Sequence, residues 1–169
     1  MKALVPSMLA AASGFVLTMV VANAADESFV SFRVLKPELA LQAAQAAMAD
    51  CRQKGFQVTV SVTDRFGGLQ VTLRDQLAGP HTPDTAYRKA WTAVTFRAET
   101  SEVAAQTGSG ALSGIRNVEG VLPVGGGVRI IAGEGDMVGA IGVSGAPSRS
   151  EDEACAKAGI NAIAAEIEF

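Results

Sequence analysis

The sequence predicts an α/β protein of the α+β kind, an antiparallel sheet built from hairpins and covered by helices. Three observations carry this. Residues 57–74 and 122–146 each hold two β-rich runs around a glycine-containing turn, the pattern of a hairpin. Alanine-rich segments of helical length flank and separate the two hairpins. The resulting order, helix, hairpin, helices, hairpin, helix, shows no linker and no tandem repeat, and a sheet with helices packed on it buries those elements together.

The N-terminus carries Lys2, an apolar run over residues 4–21 and the small-residue site Ala22-Asn23-Ala24. This is the pattern of a secretory signal peptide removed after Ala24, leaving residues 25–169 as one domain. Pro6, Ser7, Ser13, Gly14 and Thr18 make the same run a poor membrane span. The mature chain is therefore expected to be periplasmic or secreted and free of the membrane. Of 14 Lys and Arg and 17 Asp and Glu, only Lys2 lies in the leader, so the mature chain stays acidic. That balance argues against nucleic acid, whose binding needs a basic surface.

After the leader, residues 30–35 are expected to add a fifth strand at the edge of the sheet. Pro37 suits the first position of a helix that Gly55 ends, with Leu39, Ala43, Ala46, Ala47 and Met48 as its apolar face. The run 57–64 alternates strictly, so one strand face is buried and the other is more polar. Asp64-Arg65-Phe66-Gly67-Gly68 is the turn, and 69–74 is the returning strand. In the loop Gly79-Pro80-His81-Thr82-Pro83, Thr82 is expected as N-cap and Pro83 as first residue of a helix reaching Phe96. A short helix near 101–106 and a loop over 107–120 lead to the second hairpin. Ser150 with Glu153 reads as the capping box of the last helix, which ends near Glu168.

The second hairpin carries unusual glycines, among them Gly125, Gly126, Gly127, Gly139, Gly142 and Gly145. Glycine weakens a strand and marks a bulge or a close backbone approach, so something packs hard against this hairpin. A phosphate loop is excluded on two counts. No Lys-Ser/Thr follows the glycines, and they lead into a strand where anion binding uses a helix N-terminus.

Cys51 and Cys155 fall on the first and last predicted helices. Export permits a bridge between them; two buried thiols are the alternative, since pairing depends on a Cα separation. Two cysteines and one histidine make no zinc motif. Ser144, in Gly142-Val143-Ser144-Gly145-Ala146, lacks the final glycine and the following helix of a nucleophile elbow. His81 is the single histidine. It sits between prolines in a restricted loop, where it could present an imidazole to iron or haem. Arg88, Lys89 and Arg97 follow on the helix, where they read as a solvated face or could pair with carboxylates. Trp91 and Phe96 read as core, and the Tyr87 hydroxyl needs a partner.

The ordered segments 122–146, Asp152 with Ala156-Lys157-Ala158-Gly159, 58–64 with Gly67-Gly68, and Arg88-Lys89-Ala90-Trp91-Thr92-Ala93 resemble the GlcG/HbpS-like haem-binding family over nearly all of the mature chain. Val124 interrupts the family's Leu-Pro-Gly-Gly pattern, and Arg129 stands where proline is usual. The first helix has Asp50 but no acidic pair, so the iron-binding carboxylates of some relatives are not reproduced. The resemblance implies a profilin-like fold, a five-stranded antiparallel sheet with helices on both sides. It implies a homo-oligomer, often an octamer. It also implies haem as cofactor, with His81 or Thr82 at the iron and Arg74, Arg88 or Lys89 at the propionates. Relatives that serve corrinoid or hydroxy-acid pathways leave two other readings, a binder of such a molecule or an oligomeric accessory module without cofactor. No close acid–base pair points to an enzyme.

Overall fold

The structure, a computed structural model, describes residues 28–133 and 135–168. The leader expected over residues 1–24 lies outside the described residues. Residues 28–32 end a first unit and hold neither strand nor α-helix. The second unit, Arg33–Phe169, carries the fold.

Its elements are α1 (Pro37–Gln53), β1 (Thr59–Asp64), β2 (Leu69–Arg74), α2 (Thr82–Phe96), α3 (Thr100–Gln106), a 3-10 turn (Ser113–Asn117), β3 (Gly127–Ala132), β4 (Asp136–Ser144), α4 (Arg149–Asn161) and α5 (Ala164–Ile167). The described residues form four strands, not five, in the order β2-β1-β4-β3 with every pair antiparallel. The mixed class therefore holds and the strand count is corrected. The expected fifth strand at residues 30–35 has no ladder. At its end the Leu35 carbonyl accepts from Gln70 Nε2 at 2.8 Å and the Leu35 side chain joins the core, and Pro37 then starts α1.

The strand pleat divides the two layers. Val60, Val62, Val128, Ile130, Ile141 and Val143 pack with Ala40, Ala43, Ala44, Ala47 and Met48 of α1 and Ala156 of α4. The opposite face of the sheet carries Thr59, Ser61, Thr63, Ala140 and Gly142 beneath α2. Both faces of β1 are thus buried, the second one carrying the more polar residues the alternation predicted. The hydroxyls on the second face have partners: Thr59 with Thr82 at 2.7 Å, Ser61 with Thr72 at 2.9 Å, and Thr63 donating to the Ala140 carbonyl at 3.5 Å.

The glycines of the second hairpin serve this second face. A methyl on Gly142 would lie on the Ala86 carbonyl and 2.8 Å from the Ala90 nitrogen, and one on Gly127 would lie on the Lys89 carbonyl. The backbone of α2 therefore rests directly on β3 and β4, which is the close approach the sequence pattern demanded. On the other face, a methyl on Gly159 of α4 would meet the Ala47 side chain of α1 at 2.8 Å.

Helix ends depart from the expected pattern. His81, not Thr82, is the N-cap of α2, because the Thr82 hydroxyl turns back to the Gly79 carbonyl at 2.7 Å and to Thr59. Ser148, not Ser150, caps α4, accepting from the Glu151 amide at 3.2 Å. The capping box belongs instead to α3, between Glu99 and Glu102. The last helix is broken at Ala162 and Ile163 into α4 and α5.

Cys51 and Cys155 form a disulfide across α1 and α4, both fully buried, with Cα atoms 5.6 Å apart. The bridge closes a separation of 104 residues, so the unfolded chain is strongly constrained by it. Cys51→Ala with Cys155→Ala should lose about 2–5 kcal/mol in denaturant unfolding. Gly142→Ala should lose about 3 kcal/mol, because neither backbone can yield to the added methyl. Wild-type stability in either variant would refute the packing described.

Candidate functional site

The loop between β2 and α2 is built around Asp75. Its buried carboxylate accepts from Arg52 Nε at 2.7 Å and from the Val58 amide at 3.0 Å. From there the chain reaches Gly79, whose missing side chain leaves room for the His81 ring; a Cβ on Gly79 would meet its Cε1 at 2.8 Å. Thr82 anchors the start of α2 to β1 through Thr59. Among the described residues the exposed His81 imidazole makes no hydrogen bond, although its carbonyl accepts from Thr85 Oγ1 at 3.0 Å.

This loop forms one wall of a cleft of about 1050 Å³. The opposite wall is the turn from β4 into α4, with Ala146, Pro147, Ser148 and Arg149, and Val124 and Gly125 add to the lining. Ala104 of α3 contributes an apolar surface. The volume is that of a site for a sizeable small molecule.

The floor of the cleft is an ion pair. Lys89 is 2 % exposed. Its Nζ lies 2.7 Å from Asp152 Oδ2 and donates to the Val143 carbonyl at 2.8 Å. Asp152 Oδ1 accepts from the Ala146 amide at 2.9 Å. Burial pushes the Lys89 ammonium below its ordinary pKa and the Asp152 carboxyl above its own, while each partner's charge opposes the shift. Glu153, also in the lining, is pushed up by burial but held below its usual value by hydrogen bonds from Lys157 and Ser101.

Of the residues expected at a site, His81, Thr82 and Lys89 share this cleft, and Arg74 and Arg88 do not line it. Arg74 bonds the Ala78 carbonyl. Arg88 donates to the carbonyls of Gly120 and Val121 at 3.3 and 3.1 Å. The Thr82 hydroxyl is engaged on both sides and Lys89 is neutralised by Asp152, so the first positions the loop and the second closes the floor. Sequence reasoning missed Arg149 and the pairing of Lys89 with Asp152. Both segments of that pair carried the family resemblance, but a lysine among the buried positions of an alanine-rich helix face reads as solvated. No spacing signal marks Arg149. Farther along α2, Tyr87 and Trp91 face the turn between β1 and β2, where the Tyr87 hydroxyl donates to the Gly67 carbonyl at 3.3 Å and the Trp91 ring lies against Gly67. The described residues hold no group of three metal-binding side chains and no helix long and apolar enough to cross a membrane.

The ion pair makes a signed prediction. An acid whose pKa rises on folding binds its proton more tightly in the native state, so the stability missing at neutral pH returns as pH falls through the raised value. Lys89→Met leaves Asp152 buried without its partner and should lose about 3–5 kcal/mol near neutral pH. That deficit should shrink on acidification through the raised Asp152 value. Lys89→Met with Asp152→Asn should be less destabilised than Lys89→Met alone. Denaturant unfolding across pH checks both; a deficit equal in both variants and at every pH would show that the two groups are not coupled.

Comparison with known proteins follows the same outline. The family described as haem degrading protein HbpS-like matches residues 35–161. The crystal structure of a double mutant of Streptomyces reticuli HbpS is 35% identical, with a TM-score of 0.75, covering 92% of this chain and 97% of that one. The crystal structure of a PduOC:heme complex is 31% identical, with a TM-score of 0.69, covering 77% and 95%. Klebsiella pneumoniae protein ORFY is 25% identical, with a TM-score of 0.77, covering 81% and 95%. No curated protein matches the chain. With three quarters of its length inside the matched region, the chain belongs to the HbpS-like family of haem-degrading proteins.

Proposed function

We propose that this chain is an exported haem-binding protein that takes haem into the cleft between the His81 loop and the start of α4. The observation that carries the reading is the single histidine of the sequence standing at the lip of that cleft with its imidazole free of hydrogen bonds among the described residues. An unbonded imidazole is available as an iron ligand. Val124, Ala104, Ala146 and Pro147 give the cleft apolar surface for a macrocycle, and its volume of about 1050 Å³ suits one. The residues present therefore fit the group.

In this reading His81 holds the iron, and Gly79 and Thr82 fix where the imidazole points. Lys89 and Asp152 close the floor without leaving a net charge beneath the ring. Haem bound there would supply the redox chemistry of its iron, and His81, as the residue that would hold that iron, together with the polarity of the cleft would tune it. The matching family and the haem complex of a 31% identical relative support haem as the cofactor. The Cys51–Cys155 bridge supports an oxidising compartment, periplasmic or extracellular, because such bridges persist there. Self-association into a homo-oligomer, up to an octamer, belongs to the same proposal.

Haem titration of the mature protein should produce a Soret band. His81→Ala should shift that band and weaken binding about tenfold or more, the scale of a lost ligand worth at least about 1.4 kcal/mol. Thr82→Ala should change it less, through the loop alone. An unchanged spectrum in His81→Ala would remove the loop from the site, and no uptake by the wild type would refute haem binding. Mass measured on the same sample checks the subunit count.

A further inference from the structure

The cleft has five ionisable side chains in its lining, His81, Lys89, Arg149, Asp152 and Glu153. Four can be accounted for within the fold or the reading above. Lys89 and Asp152 neutralise each other at 2.7 Å. Glu153 is held by Lys157 at 2.7 Å and by Ser101. His81 is the iron ligand of the proposed function. Arg149 remains, an exposed cation at the first residue of α4 with no hydrogen bond or ion pair among the described residues.

Its position follows from the local fold. Ser148 is the cap of α4, so the next residue begins the helix beside the mouth of the cleft. Gly125 makes space for it, since a Cβ there would stand 3.2 Å from Arg149 Cβ. The charge of Arg149 reaches inward far enough to help depress the Lys89 pKa, after the larger effect of burial. No acidic side chain of the lining is left to neutralise it. Ser148 and Ser150 stand beside it on the same wall, their hydroxyls bonded to each other at 2.9 Å.

We infer that Arg149 is the anchor for a carboxylate of the bound ligand, and so the residue that selects an anionic porphyrin over a neutral one. This rests on the haem reading of the cleft. A guanidinium forms paired hydrogen bonds to a carboxylate, which fix orientation as well as add attraction. With His81 on one wall and Arg149 on the other, a macrocycle would be held at its metal and at its acidic edge. The assignment also replaces Arg74 and Arg88 in that role, since the guanidinium of each donates to backbone carbonyls away from the lining.

The test compares haem with haem dimethyl ester, whose acidic groups are masked, on wild type, Arg149→Ala and Arg149→Lys. Wild type should bind haem about tenfold more tightly than the ester, the effect of one charge-assisted contact at an exposed position. Arg149→Ala should abolish that preference by losing haem affinity while ester affinity stays. Arg149→Lys should restore part of it, because the charge returns without the paired geometry. A preference that survives in Arg149→Ala, or no preference in the wild type, would overturn the anchor while leaving the haem site intact. Absence of Soret absorption with both compounds in the wild type would overturn the haem reading itself, and the anchor with it.

Discussion

The buried contact between Lys89 and Asp152 is the constraint on which the geometry of this protein depends. Lys89 belongs to the helix on one face of the sheet, and Asp152 to a helix on the other. Their 2.7 Å contact joins the two helical layers around the end of the sheet where β3 begins. The crossing needs Gly126. A Cβ there would stand 2.8 Å from Asp152 Cβ and 2.9 Å from Lys89 Nζ, and its φ of +114° is one that side chains disfavour. Desolvating two charges is unfavourable and is partly offset here by further partners, the Val143 carbonyl for the ammonium and the Ala146 amide for the carboxylate. The pair therefore contributes position more than stability. It sets where α4 starts relative to α2, and that spacing is the width of the cleft.

Two different devices fix the remaining contacts of α4. The disulfide ties its middle to α1, and Gly159 lets the two helices touch at backbone distance. On the other face α2 rests on glycine and small hydroxyl residues, with Ala86 over Gly142 and the Lys89 carbonyl over Gly127. A layer seated backbone to backbone has little freedom to slide. Lys89 is consequently delivered to Asp152 by the packing of α2 and does not need to search for it.

This explains how much of the molecule was legible in its residues. The hairpins, the alanine-rich helices and the demand for close packing at the second hairpin follow from strand alternation and from glycines inside strands, and the structure supplies α2 as the element that makes the approach. What could not be read depends on partners distant in sequence. Residues 30–35 have strand-like composition, but a strand needs a backbone ladder, and at Leu35 the carbonyl accepts from the Gln70 side chain instead. Thr82 has the composition of a cap, but Thr59 and Gly79 take its hydroxyl. Lys89 looks like a solvated cation until Asp152, 63 positions later, is brought beside it. Of the site, the His81 loop was legible because one histidine between prolines is conspicuous. Arg149 was not, because nothing local distinguishes a cation that lines a cleft from one that faces water.

The same contrast bears on how the cleft selects its occupant. On the proposed reading, its floor of paired Lys89 and Asp152 presents no net charge to a ligand, while Ala104, Val124, Ala146 and Pro147 offer apolar surface. In that reading, charge discrimination falls to the two lining groups without side-chain partners among the described residues, the His81 imidazole and the Arg149 guanidinium, which stand on separate elements. The His81 wall is fixed through Thr82 to β1 and through Asp75 to α1, by way of Arg52. The Arg149 wall is fixed through Asp152 and the disulfide. Each group that would meet the ligand thus rides on a backbone held in place by other residues. On the proposed haem reading, a cleft that pairs its internal charges and leaves, among the described residues, Arg149 and His81 without side-chain partners suits a flat apolar molecule that carries a metal and an acidic edge.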